Sequence, residues 1–132
     1  MPNLAEAEAV LRRRFGHDGF REGQRGAVEA ALAGRDLLVV MPTGAGKSLC
    51  YQLPAVVQPG YALVVSPLIA LMKDQVDQLR GRGIEAATVH SGVGLDEKRR
   101  IARAVEQGEL ELLLVVHSFP TRRSSDYRKS VV

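Results

Sequence analysis

The chain reads as an α/β protein: a parallel sheet with helices on both faces, three layers in all. Short apolar runs alternate with helix-length amphipathic stretches from Asp36 onward. That is the pattern of βαβ units, whose right-handed crossovers lay successive strands parallel. The last run, Leu110 to Val116, is apolar nearly throughout, as strands covered on both faces are. A glycine-rich turn, Gly44-Ala45-Gly46, joins the first apolar run to the helix after it. It falls at the carboxyl end of a strand, where open α/β sheets bind ligands.

Taken in order, Asn3 is placed to cap a first helix with Glu6 as its partner, and Leu4, Ala7, Leu11 and Phe15 share one face before Gly16. A second helix is expected from Gly23 to Ala33, stopped by Gly34. The run 36–41 reads as the first strand. After the glycine turn a helix extends to about Val57, with Pro54 breaking or kinking it. Tyr61 to Ser66 reads as the second strand. Pro67 leads into a helix whose stripe is Leu68, Leu71, Met72, Val76 and Leu79, ended by Gly81-Arg82-Gly83. A third strand is expected at Ala86 to His90, then a helix from Leu95 to Gln107 with Lys98, Arg99, Arg100 and Arg103 on its wet side. Leu110 to Val116 is the fourth strand, so the expected sheet is truncated after about four.

A length of 132 residues fits one domain or a piece of a larger protein. No apolar run is long enough to span a bilayer, and the N-terminus lacks the charged and apolar regions of a secretory signal. Cys50 is the only cysteine, which excludes an internal disulfide and points to a reducing cytoplasm. It reads as a small core residue rather than a nucleophile. The net charge of +3 is compatible with nucleic acid without pointing to it.

The chemistry is concentrated in Met41-Pro42-Thr43-Gly44-Ala45-Gly46-Lys47-Ser48. Between an apolar run and a helix, this is a phosphate-binding loop. Glycine lets backbone N–H groups turn inward around phosphate oxygens where a Cβ would obstruct them. Thr43, Gly44, Ala45, Gly46, Lys47 and Ser48 are the candidate nucleotide contacts, Lys47 as the catalytic cation at the β- and γ-phosphates and Ser48 as the Mg²⁺ ligand. Met41 stands where the first glycine of the commonest pattern would be, which points away from small GTPases. Upstream, the Gln24 carboxamide can pair with both N6 and N7 of adenine, and an aromatic ring with an Arg plane can sandwich the base. Downstream, Ser66-Pro67-Leu68-Ile69-Ala70-Leu71-Met72-Lys73-Asp74-Gln75 joins a strand to a helix N-terminus, which suits a backbone phosphate of nucleic acid.

Phe20-Arg21-x-Gly23-Gln24, Val40 to Ala55 and Val65 to Val76 together resemble motifs 0, I and Ia of RecQ-type DNA helicases, and the likeness runs from about Leu11 to Val116 in the family's order. The resemblance implies a RecA-like lobe that uses ATP and Mg²⁺ for 3′-to-5′ unwinding of DNA in recombination and repair, in the bacterial cytoplasm at the nucleoid. It implies that Gln24 reads adenine with His17 and Arg21 flanking the base. It also implies that Ser66, Pro67, Leu68 and Lys73 touch single-stranded DNA without regard to base sequence. The chain then divides into helices with the adenine motif at 1–34, a partial RecA-like lobe at 35–116 and a tail at 117–132. His17 replaces the usual aromatic and Glu22 the usual proline.

Phosphoryl transfer in this class needs a carboxylate pair after a later strand. The one Asp-Glu pair, Asp96-Glu97, opens a basic helix instead, where it reads as first-turn acids favoured by the helix dipole. Such a fragment is expected to bind nucleotide without turning it over. A nucleotide-binding module without turnover and another P-loop ATPase are the rival classes, and the Gln24 and Ser66–Gln75 segments argue against the latter. From His117 the family likeness stops. His117-Ser118-Phe119-Pro120-Thr121-Arg122-Arg123-Ser124-Ser125-Asp126 matches one reading frame of a common sequencing adapter, so 117–132 reads as non-family sequence, with a basic nucleic-acid-binding tail as the rival.

Overall fold

The computed structural model describes residues 2–42 and 46–116, in two compact units that meet in sequence at Tyr61 and Ala62. Thr43, Gly44 and Ala45 of the loop, and the whole of 117–132, lie outside the described residues.

The first unit is helical: α1 (Leu4–Phe15), α2 (Gln24–Leu32) and α3 (Leu49–Val57). Asn3 caps α1 as expected, its side-chain oxygen accepting from the Glu6 N–H at 2.9 Å. Gly16 closes the helix in the left-handed region at φ 71°, and the His17 N–H donates back to the Leu11 carbonyl, six positions earlier, as glycine-terminated helices satisfy their last carbonyls. Ala7, Leu11 and Phe15 are buried, as are Ala27, Val28 and Leu32 of α2 and Leu49, Leu53 and Ala55 of α3. The three helices pack on one another around these side chains. Pro54 does not break α3, which continues to Val57. It lies in the penultimate turn, so the missing N–H costs one intrahelical bond shortly before the helix would end anyway.

The run 36–41 forms no strand. Leu38 is 90 % and Val40 87 % exposed. The expectation of a first strand there is corrected: a strand needs a neighbour to pair its N–H and C=O groups, and the described residues of this unit contain none. Strand propensity without a ladder leaves an apolar segment in water.

The second unit holds the parallel sheet. Its strands are β1 (Ala62–Ser66), β2 (Ala86–Val89) and β3 (Leu112–Val116), in the order β1-β3-β2. Among the described residues the sheet therefore has three strands rather than four. β3 is central, with Ala62 and Ala86 both opposite Leu112, and Val65 and Val89 both opposite Val115. The crossovers are α4 (Ile69–Gly81) and α5 (Leu95–Glu106). Ile101 of α5 buries against Ala87 and Leu110, with Val89, Val105 and Leu113 beside them. On the other sheet face Ala86, Leu112 and Leu114 are fully enclosed, and α4 packs against β2 and β3. This is the helix–sheet–helix sandwich the alternating pattern calls for. The stripe on α4 differs from expectation. Met72, Val76 and Leu79 are buried with Gln75, whereas Leu68 and Leu71 are exposed, because they precede or border the turn that meets the sheet. Lys98, Arg99, Arg100 and Arg103 are exposed as expected, and Glu97 pairs with Arg100 at 2.6 Å within the first turns of α5.

Candidate functional site

The corner between α1 and α2 carries the adenine motif. Gly23 turns the chain in the left-handed region at φ 85° and caps α2, so Gln24 is the first helical residue. That φ is strained for any residue with a Cβ, and a Cβ at Gly23 would also sit 2.8 Å from the methyl of Met41, at the head of the phosphate-loop sequence. Gln24 is 3 % exposed. Its Oε1 accepts from the Arg21 N–H at 2.7 Å, and its Nε2 donates to the Gly46 carbonyl at 3.0 Å. Those partners also fix which end of the amide is oxygen, since one site offers only a donor and the other only an acceptor.

Gly46 has φ 83°, and a Cβ there would collide with Gln24 Nε2. Lys47 follows, exposed, and the chain then enters α3: Lys47 and Ser48 carbonyls accept from the Cys50 and Gln52 N–H groups at 3.1 and 3.0 Å. Ser48 is half-buried at the helix entrance. Gln24, Gly46, Lys47 and Ser48 are thus brought together within one unit, with Arg21 next to them in the chain. His17 is exposed on the loop after α1. A cleft of about 450 Å³ lies along this loop, bounded by Leu11, Arg12, Phe20, Arg21, Gly23 and Arg25. The exposed cation of Lys47, next to a glycine backbone and at the N-terminus of α3, fits a polyphosphate. Among the described residues no cluster of His, Cys, Asp and Glu could hold a metal ion on its own.

Partial burial pushes the Cys50 thiol above its ordinary value, opposed only in part by a hydrogen bond from the backbone. The thiolate is disfavoured, which suits a packing residue and not a nucleophile.

In the second unit, Ser66 ends β1 and is buried, its Oγ accepting from the Leu68 N–H at 3.3 Å. Pro67, Leu68 and Lys73 are exposed at the start of α4. The four residues expected at nucleic acid therefore sit on one strand-to-helix corner, with the Ser66 hydroxyl oxygen engaged locally.

A family profile described as "DEAD/DEAH box helicase" aligns with residues 21–124. The chain belongs to the DEAD/DEAH box helicase family. Within it, the chain is similar to RecQ helicases. It is 51 % identical over 109 residues to the ATP-dependent DNA helicase RecQ of Haemophilus influenzae, covering 83 % of this chain and 18 % of that protein. To the protein of the same name from Synechocystis it is 46 % identical over 113 residues, covering 86 % and 24 %. To the probable ATP-dependent DNA helicase RecS of Bacillus subtilis it is 39 % identical over 105 residues, covering 79 % and 21 %. The chain thus spans about a fifth of the length of these helicases. Among solved structures it is similar in fold to the DUF1998 helicase MrfA bound to DNA, with a TM-score of 0.70 and 24 % identity over 88 % of this chain and 18 % of that one. A hypothetical ATP-dependent RNA helicase from Sulfolobus tokodaii gives a TM-score of 0.66 at 22 % identity, covering 85 % and 33 %. The sandwich is accordingly that of a helicase RecA-like lobe. No helix among the described residues is long and apolar enough to cross a membrane.

Proposed function

We propose that this chain is the ATP-binding part of a RecQ-like DNA helicase of 3′-to-5′ polarity, acting in recombination and repair in the bacterial cytoplasm. The observation that carries the reading is the Gln24–Gly46–Lys47 arrangement, in which the glutamine of the upstream motif is hydrogen-bonded to the backbone that leads into Lys47. Gly46, Lys47 and Ser48, with Thr43, Gly44 and Ala45, would hold the phosphates. Gln24, flanked by His17 and Arg21, would read the base. Mg²⁺ would arrive with the nucleotide and take Ser48 as its protein ligand, supplying charge neutralisation at the β- and γ-phosphates. Lys47 adds a fixed positive charge there, and the N-terminus of α3 adds the dipole.

Ser66, Pro67, Leu68 and Lys73 would contact single-stranded DNA through its phosphates, so that binding ignores base sequence and weakens with salt. The chain by itself is proposed to bind nucleotide without hydrolysing it. Asp96 and Glu97 stand in the first turn of α5, Glu97 paired with Arg100, and not behind a strand where they could position water. That observation favours a module without turnover as the second reading. Residues 117–132 are proposed to be foreign to the family, although the family profile's alignment runs on to residue 124, and the codons after Val116 in the intact gene decide it.

ATP and GTP titrations with and without single-stranded DNA test the reading. ATP should bind better than GTP, with no DNA-stimulated turnover. Replacing Gln24 by Ala should cost about 1–3 kcal/mol toward ATP, the scale of a bidentate base contact. Lys47→Ala should cost about 1.5–3 kcal/mol, the range for a hydrogen bond to a charged group. Equal affinity for the two nucleotides would sink the base assignment, and turnover abolished by Lys47→Ala would sink the inactivity.

A further inference from the structure

We infer that Gln24 is a positioning residue for the phosphate loop, aiming the Lys47 N–H before any base arrives. This rests on the reading of Gly46–Ser48 as a phosphate site, but one of its tests needs no ligand. The Gln24 amide is spent on the protein itself: Oε1 on the Arg21 N–H and Nε2 on the Gly46 carbonyl, at 2.7 and 3.0 Å, with the residue 3 % exposed. A buried amide with both ends engaged is costly to displace, since each orphaned group would forfeit its desolvation cost.

The consequence follows from the planarity of the peptide bond. The Gly46 carbonyl and the Lys47 N–H belong to one rigid unit and point in opposite directions. Holding the carbonyl on Gln24 therefore turns the Lys47 N–H away from α2, in a segment whose N–H groups are the anion donors. The Gly46 backbone, at φ 83°, has no intrinsic reason to choose that orientation, because glycine populates many. Gln24 chooses it. Two glycines mark the same corner. Both have a positive φ that side chains rarely adopt, and a Cβ at Gly46 would meet Gln24 Nε2 while one at Gly23, just before Gln24, would meet the Met41 methyl. The corner 23–24 thus touches the phosphate-loop sequence both before and after residues 43–45.

Base reading alone and loop positioning make different predictions for ligands that lack adenine. The variant Gln24→Glu keeps size and shape, and its carboxylate still accepts from the Arg21 N–H, but it cannot donate to the Gly46 carbonyl. In ¹H–¹⁵N spectra of the ligand-free chain, the Lys47 amide resonance should move in Gln24→Glu and in Gln24→Ala, while the Asn3–Glu6 cap resonances stay in place. Inorganic tripolyphosphate should bind the unmodified chain and bind Gln24→Glu about fivefold more weakly, the scale of one neutral hydrogen bond. An unmoved Lys47 amide in folded Gln24→Glu overturns the inference. So does unchanged or tighter tripolyphosphate binding alongside weaker ATP binding, which would make Gln24 a base reader only. If the unmodified chain ignores tripolyphosphate, the phosphate site proposed above fails, and the ligand-free spectra still decide the bracing.

Discussion

Two apolar runs of nearly the same composition meet different fates. Leu37-Leu38-Val39-Val40 and Leu63-Val64-Val65 each precede a loop and a helix, and each offers the β-branched density of a strand. The second is β1, hydrogen-bonded along its length to β3. The first forms no strand and is wet, with Leu38 90 % exposed. Nothing in the residues themselves separates them. What differs is company: β1 has a partner strand in its own unit and 36–41 has only helices. A strand is thus a relation between segments, and propensity marks a candidate without making the ladder.

The contrast can be broken most severely by truncating side chains on either side of it. Leu114→Ala, fully buried in the central strand, should cost about 2–5 kcal/mol of unfolding free energy in urea. Leu38→Ala should stay within about 0.5 kcal/mol, as surface changes do. Comparable losses would mean that 36–41 is packed after all.

Amide exchange sharpens the same comparison without mutation. The N–H groups of 64–66 and 113–115 should exchange only on opening of the sheet, and those of 37–41 at rates close to an unstructured peptide. Appending a RecQ relative's continuation beyond Val116 should slow exchange in 36–41 if strands supplied there are the missing partners, and leave it fast if they are not.

Smaller effects fall within the helical unit. Asn3→Ala removes the cap on α1 and should cost about 1 kcal/mol by thermal or urea unfolding. Glu8→Gln removes exposed pairs with Arg12 and Arg25 and should cost only a few tenths of a kcal/mol, less still in high salt.

Much of the fold was legible. The caps at Asn3 and Gly16, the helices, the sheet strands from Ala62 onward and the sandwich all follow from short-range rules of period, cap and breaker. So was the candidate site as a set of residue types, since a phosphate loop is written in consecutive residues. The errors share one cause. The strand at 36–41 and the exposed Leu68 and Leu71 depend on what packs alongside, which no local window contains.

The sequence by itself marked Gln24, Gly46, Lys47 and Ser48 as the candidate site, because backbone conformation, charge and hydrogen-bonding capacity are properties of the residues. Tertiary structure alone decided how they are used. Gln24 and Gly46 are 22 positions apart, and only the packing of α2 and α3 brings the amide onto the carbonyl. With that one contact, a glycine free to point its peptide anywhere is held in a single direction, since a rigid peptide plane cannot turn its carbonyl toward Gln24 without turning the Lys47 N–H away.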